Sequence, residues 1–191
     1  MPRRLRIGLV AVVLMTAGVV VRAGRPVAGG TERQRADEYR VKAAFLFNFT
    51  KFVEWPVSAF ATPSVPFNVC VLGVDPFGEM LDETFRGRLI AGRAVLVRRM
   101  RDPESGCHLI FISSSEHRRL AVLADRLRAT SVLTVSDEEG FNAVGGMIEL
   151  FTDGESVQFN ISPAAVERAG LRASARLIAL AANQRHAGGR R

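Results

Sequence analysis

Lysine, tyrosine, tryptophan, histidine and cysteine are all scarce in this chain, and each scarcity excludes something. The two cysteines, Cys70 and Cys107, form no CxxC, and the three histidines, His108, His117 and His186, are scattered without ligand spacing. No metal pattern therefore exists. No GxSxG elbow surrounds the serines, so the hydrolase signature is missing. The glycines of "GVDPFG", Gly73 to Gly78, have the wrong spacing for a dinucleotide fingerprint. The carboxylate pairs Asp82-Glu83 and Glu138-Glu139 sit in polar stretches and read as solvated. No catalytic residue, metal or cofactor is assigned, and no internal repeat is present.

One long apolar run is present, at the start. Pro2 to Arg6 is basic, Ile7 to Val21 is uncharged and apolar or small, and Val21 and Ala23 satisfy the small-residue rule for cleavage after Ala23. Residues 1–23 are read as an export signal, which places the mature protein in the periplasm; the alternative is an uncleaved anchor. Losing Arg3, Arg4, Arg6 and Arg22 lowers the formal net charge from +7 to +3. The remaining basic residues are nearly all arginine and are dispersed, so no nucleic-acid track is inferred. In an oxidising compartment Cys70 and Cys107 are expected to bridge; the alternative is two free buried thiols.

Residues 24–35 are rich in Gly, Arg and polar residues and read as a flexible leader. One domain, residues 36–184, and a disordered tail, residues 185–191, are expected after it. Within the domain a helix from Ala36 to Trp55 is stopped by Pro56. Strands at Phe67 to Val74, Arg93 to Arg99, Cys107 to Ile112 and Ser131 to Val135 alternate with helices at Pro76 to Phe85 and Glu116 to Ala129. Such near-continuous apolar strands predict a mainly parallel sheet covered on both faces. "MIELFTDGESVQFNI" predicts an antiparallel hairpin about Asp153-Gly154. Ser162 is expected to cap a helix that starts at Pro163 and ends at Gly170, before a last helix from Arg172 to Asn183. The fold class is α/β: a layered sandwich with a C-terminal antiparallel hairpin and helices on both faces.

The first helix holds the strongest surface signal. On a helical wheel Val41, Phe45, Leu46, Phe49, Phe52, Val53 and Trp55 share one half; Thr50, Lys51 and Glu54 fall opposite. Two residues break the pattern. Asn48 falls in the apolar half, where its amide needs partners. Phe47 falls among the polar residues. It is read as an aromatic anchor for a protein partner, flanked by Lys51 and Glu54, against the alternative of an ordinary exposed aromatic. A small-ligand site is the second candidate. Asp75, Ser113, Ser114, Ser115 and Asp137 follow strand ends, where open parallel sheets hold ligands.

Several segments together carry a family resemblance. They are the phenylalanine-rich helix ending in Trp55-Pro56, "GR-V-V" from Gly92, "C-LIFI-SS-E" from Cys107, and "VLTVSD" at Val132 to Asp137. "GGMIELF" at Gly145 to Phe151, "VQFNIS", and "AGL-AS-RLIALA" complete the set. Over Tyr39 to Ala182 the chain resembles the YfiR-like periplasmic proteins. The resemblance implies a non-enzymatic regulator. It would bind the periplasmic domain of an inner-membrane diguanylate cyclase and repress it, controlling cyclic di-GMP and biofilm growth. An outer-membrane lipoprotein that sequesters the regulator, a sensor kinase in place of the cyclase, and a homodimer are also compatible with it. The alternative function is a periplasmic small-ligand receptor serving a membrane sensor such as a histidine kinase. YfiR carries a second cysteine pair; this chain has none between Gly140 and Thr152, so control through a second bridge is not expected.

Overall fold

The computed structural model describes residues 29–154 and 156–188, so the expected signal at residues 1–23 lies outside them. Helix α1 spans Gly29–Phe52 and passes straight into a two-residue strand, β1 (Val53–Glu54). Residues 29–35 are thus helical rather than a flexible leader. Thr31 to Ala36 contains neither proline nor glycine and places Glu32 in the first turn, where the helix dipole favours a carboxylate. The helix also stops short of Trp55, because Val53 and Glu54 pair antiparallel with Ala173 and Arg172. A β-branched valine and a residue close to Pro56 favour extended backbone there.

The chain continues through β2 (Phe67–Leu72), α2 (Glu79–Phe85), β3 (Leu89–Ile90), β4 (Arg93–Met100) and β5 (Leu109–Ile112). A 3-10 turn over Ser114–Arg119 leads into α3 (Leu120–Leu127), which β6 (Leu133–Ser136) follows. The hairpin of β7 (Ile148–Asp153) and β8 (Ser156–Ile161), then α4 (Pro163–Arg168), β9 (Arg172–Ala173) and α5 (Ala175–Gly188), complete the described chain. Seven strands form one sheet in the order β3-β4-β2-β5-β6-β7-β8. Its middle is parallel, with β3 and β8 as antiparallel edges. β1 and β9 form a separate ladder. This is the mainly parallel α/β sandwich with a C-terminal hairpin that the strand pattern predicts.

Every residue of β2, β5 and β6 is buried, as a sheet covered on both faces requires. Alternation sorts the side chains. Phe67, Val69, Val71, Leu109, Phe111, Leu133 and Val135 join the core beneath α1, α4 and α5. Cys70, Leu72, Ile110 and Ile112 meet Leu120, Leu123, Ala124 and Leu127 of α3 on the other face. The Cys70–Cys107 disulfide lies on this second face and closes a separation of 37 residues, with the two Cα atoms 6.1 Å apart.

Several boundaries differ from the pattern reading. The helix expected over 116–129 divides into the 3-10 turn and α3. Arg172 and Ala173, expected to be helical, pair with β1 instead. Helix α5 runs to Gly188, past the start of the expected tail at 185, anchored by buried Leu177 and Ala181. Ser162 does occupy the N-cap of α4, but its side chain makes no capping bond; its carbonyl accepts from the Ala165 and Val166 N–H groups.

The rotation of α1 also differs. Its buried residues are Tyr39, Lys42, Ala43, Leu46, Phe49 and Thr50, a stripe at i, i+3 and i+4 spacing. Val41, expected inside, is exposed, whereas Thr50 is buried and donates to the Phe47 carbonyl at 2.6 Å. Asn48 is exposed and accepts from Lys51 Nζ at 3.1 Å, and Phe47 is half-buried. Phe47 is covered because α2 packs against this side of α1, giving the helix a neighbour besides the sheet.

Candidate functional site

The end of α1, the turn after Pro56 and the β3 edge enclose a groove of about 420 Å³. Phe47, Lys51 and Glu54 all line it, together with Val53, Trp55, Phe60, Leu89 and Ile90. Phe47 meets Phe85 of α2 edge-on at 5.7 Å between centroids. Lys51 Nζ lies 4.3 Å from the Phe47 ring centroid and Arg88 Cζ 4.4 Å, both in cation–π range. The aromatic anchor read from the sequence is therefore recessed and capped by two cations.

The walls are held firmly. The Trp55 indole N–H donates to the His108 carbonyl at 2.9 Å, and its ring meets Phe67 edge-on. The His108 ring stacks against both Phe60, at 4.5 Å, and Phe67, at 5.0 Å. His108 Nδ1 accepts from the Asn68 backbone N–H at 2.9 Å, which leaves Nε2 to donate to the Ala59 carbonyl at 3.2 Å. Burial holds this imidazole below its ordinary pKa, opposed by the Ala59 bond and assisted by the nearby Arg93 charge. Arg93 lies over Phe60 at 4.0 Å and donates to the Thr62, Pro63 and Val65 carbonyls, fixing the loop. The sequence offered no sign that Phe60, Leu89 or Ile90 would reach Phe47; a two-residue strand is too short to show a period.

The five residues at the strand ends do not assemble into one site. The Asp75 carboxylate accepts from the Phe77 N–H at 2.7 Å and from Arg99 Nε at 2.9 Å. Arg99 also grips Asp82 and the Gly78 carbonyl. This holds the Asp82 carboxyl below its usual range, chiefly through the Arg99 hydrogen bond, and raises the guanidinium pKa. Ser113 Oγ accepts from the Ser115 N–H at 3.3 Å, within its own turn, and Ser115 Oγ from the Val74 N–H at 2.9 Å, tying the loops after β5 and β2 together. No hydrogen bond joins these serines to a histidine among the described residues.

Ser114 and Asp137 do share a depression, of about 440 Å³, with Arg35, Glu38, Tyr39 and Lys42. There Asp137 Oδ2 accepts from the Tyr39 hydroxyl at 2.8 Å and from Lys42 Nζ at 2.7 Å, and Lys42 also pairs with Glu38 at 2.6 Å. The Lys42 and Asp137 side chains are only 5% and 4% exposed. Asp137 Oδ1 is buried without a hydrogen-bond partner. Burial, reinforced by the Asp137 charge, pushes the Tyr39 phenol well above its ordinary pKa.

Among the described residues no group of His, Cys, Asp and Glu is arranged to hold a metal, and no helix is long and apolar enough to cross a membrane. No curated protein matches the chain in sequence. Residues 39–182, from the tyrosine that bonds Asp137 to the last helix, match the model of one family, and the chain belongs to the YfiR/HmsC-like family.

Proposed function

We propose that this protein is a periplasmic regulator that works by binding rather than by catalysis. It engages the periplasmic domain of an inner-membrane diguanylate cyclase and holds it inactive, which lowers cyclic di-GMP and restrains biofilm growth. The observation that carries this reading is the groove shared by Phe47, Lys51 and Glu54, in a chain of this family. An apolar floor with charged residues at its margin suits a protein partner. The disulfide fits an oxidising compartment. Repression requires that the regulator bind the inactive form of its partner more tightly; equal affinity for both forms would shift nothing. A sensor kinase would be held by the same logic, and a lipoprotein covering the groove would release either enzyme.

The test is calorimetric titration of the mature protein with the periplasmic domains of inner-membrane diguanylate cyclases from the same organism. Phe47→Asp is expected to abolish the heat of binding while leaving the far-ultraviolet circular dichroism folded. Undiminished binding by that variant would remove the groove from the interface.

One observation favours a second reading, a small-ligand receptor: the unpartnered Asp137 Oδ1 beside the polar depression at the strand ends. A thermal-shift screen with polar metabolites tests it, and a loss of any stabilising hit in Ser114→Val would place the ligand there.

A further inference from the structure

We infer that the groove is half of a strand-addition site, and that its occupant is an extended, acidic segment of a protein partner. The inference rests on the binding function proposed above and names the chemistry of what binds.

The first observation is the sheet edge. β3 is the outermost strand of the sheet and only two residues long. It pairs with Arg93 and Ala94 alone, so from Val95 to Met100 strand β4 has only β2 beside it. An open edge is a template for an added strand, and proteins usually blunt it with charge. Here the edge residue beside the groove is Leu89, 67% exposed. A segment laid along β3 would place alternate side chains toward the sheet face, where the groove can accept an apolar one.

The second observation is charge. Arg98, Arg99, Arg119 and Arg128 each have a carboxylate partner. Lys51 and Arg88, over Phe47, have none among the described residues. Their hydrogen bonds go to neutral acceptors, Asn48 Oδ1 at 3.1 Å and the Thr84 carbonyl at 3.0 Å. Two exposed cations above one ring outnumber the single carboxylate that lines the groove, Glu54, and form a seat for further carboxylates. The same cations oppose a second copy of this chain, which would bring like charges together. A concave groove beside unpaired main-chain groups suits a peptide better than a flat lipid surface.

The experiment selects phage-displayed random peptides on the immobilised protein. Each selected peptide is then titrated against wild type, Lys51→Glu/Arg88→Glu and Lys51→Gln/Arg88→Gln. The enriched peptides are expected to alternate apolar residues with Asp or Glu. They should lose at least about tenfold in affinity on charge reversal and weaken with rising salt. Hydrogen exchange should slow in residues 88–97 on binding. Three outcomes overturn the inference: peptides without acidic residues, equal affinity for the reversed variant, or protection confined to other segments. Binding of phosphatidylglycerol vesicles that depends on the same two cations, with no peptide enriched, overturns it in favour of a membrane surface. If the cyclase domain loses binding in Phe47→Asp yet keeps it in the reversed variant, the proposed function stands and this inference falls.

Discussion

Replacing Lys42 by methionine is expected to destabilise the protein by about 3–5 kcal/mol, although lysine at a helix surface is ordinarily worth little. The substitution keeps most of the buried stem and removes only the charge. Lys42 Nζ and Asp137 Oδ2 are 2.7 Å apart with both side chains almost fully buried. At an effective dielectric constant near 20 their attraction is about 6 kcal/mol, most of which offsets the cost of removing two ions from water. The intact pair is therefore close to neutral in net stability, while half a pair is not. In Lys42→Met the Asp137 carboxylate would keep the Tyr39 hydroxyl, at 2.8 Å, but face the Glu38 carboxylate without the ammonium between them.

Urea unfolding measures this directly. With a slope of about 2 kcal/mol per molar, the midpoint should fall by roughly 1.5–2.5 M. Asp137→Asn should also destabilise, by less, because the buried ammonium keeps only the Glu38 carboxylate at 2.6 Å. The double variant should lose less than the sum of the two, with a coupling of about 2–3 kcal/mol. A loss under about 1 kcal/mol in Lys42→Met, or strict additivity in the double variant, would refute the idea that this pair is desolvated and mutually dependent.

The other predictions concern pH, the disulfide and one strained turn. Because the folded pKa of His108 is depressed, the unfolded state binds more protons below the ordinary value of about 6.5, so stability should decline as pH falls through that value. Urea midpoints between pH 7.5 and 5.5 should therefore slope more steeply in wild type than in His108→Gln; parallel slopes would exclude His108 as the cause. Reduction of Cys70–Cys107, or its replacement by two alanines, should cost about 4 kcal/mol on the chain-entropy account of its 37-residue separation. Equal urea midpoints with and without dithiothreitol would contradict that. Ala91 sits at φ 49° beside Gly92 in the turn between β3 and β4, so Ala91→Gly should raise stability by roughly 0.5–1 kcal/mol in the same assay, and a loss would show that the turn is not strained.

The sheet was legible because its central strands are continuous apolar runs, and the hairpin because Asp153-Gly154 interrupts two alternating ones. β1, β3 and β9 were not, since two residues carry no period and their partners decide their conformation. The Lys42–Asp137 pair was hidden for a related reason. The two residues are 95 positions apart, and a single lysine on a helix ordinarily reads as solvated. The wheel of α1 exchanged the environments of Phe47 and Asn48 because it assumed one apolar face against one neighbour. With α2 beside α1, Phe47 gains Phe85 while Asn48 turns to water. Among the strand-end residues, position relative to the sheet was readable but hydrogen-bond partners were not. Asp75 is held by Arg99 of β4, and Asp137 by two residues of α1.

These particulars converge on α1. Lys42 and Phe47 lie five residues apart, about 7.5 Å along the axis, on different sides of one helix. Rotating α1 by one residue, about 100°, would carry Lys42 off Asp137 and Phe47 off Phe85 together. The aromatic residues favour the observed setting, since Phe45, Phe49 and Phe52 fall on one side of the helix, with Phe49 buried, and Phe47 on another. Apolar burial is non-directional and tolerates smaller shifts, whereas a buried ion pair with a 2.7 Å bond does not. A pair that contributes little net stability thereby sharpens the setting that buried Ala43, Leu46 and Phe49 give to α1. It follows that the cation-capped ring on the opposite flank, and the groove it floors, owe part of their geometry to charges the partner never meets.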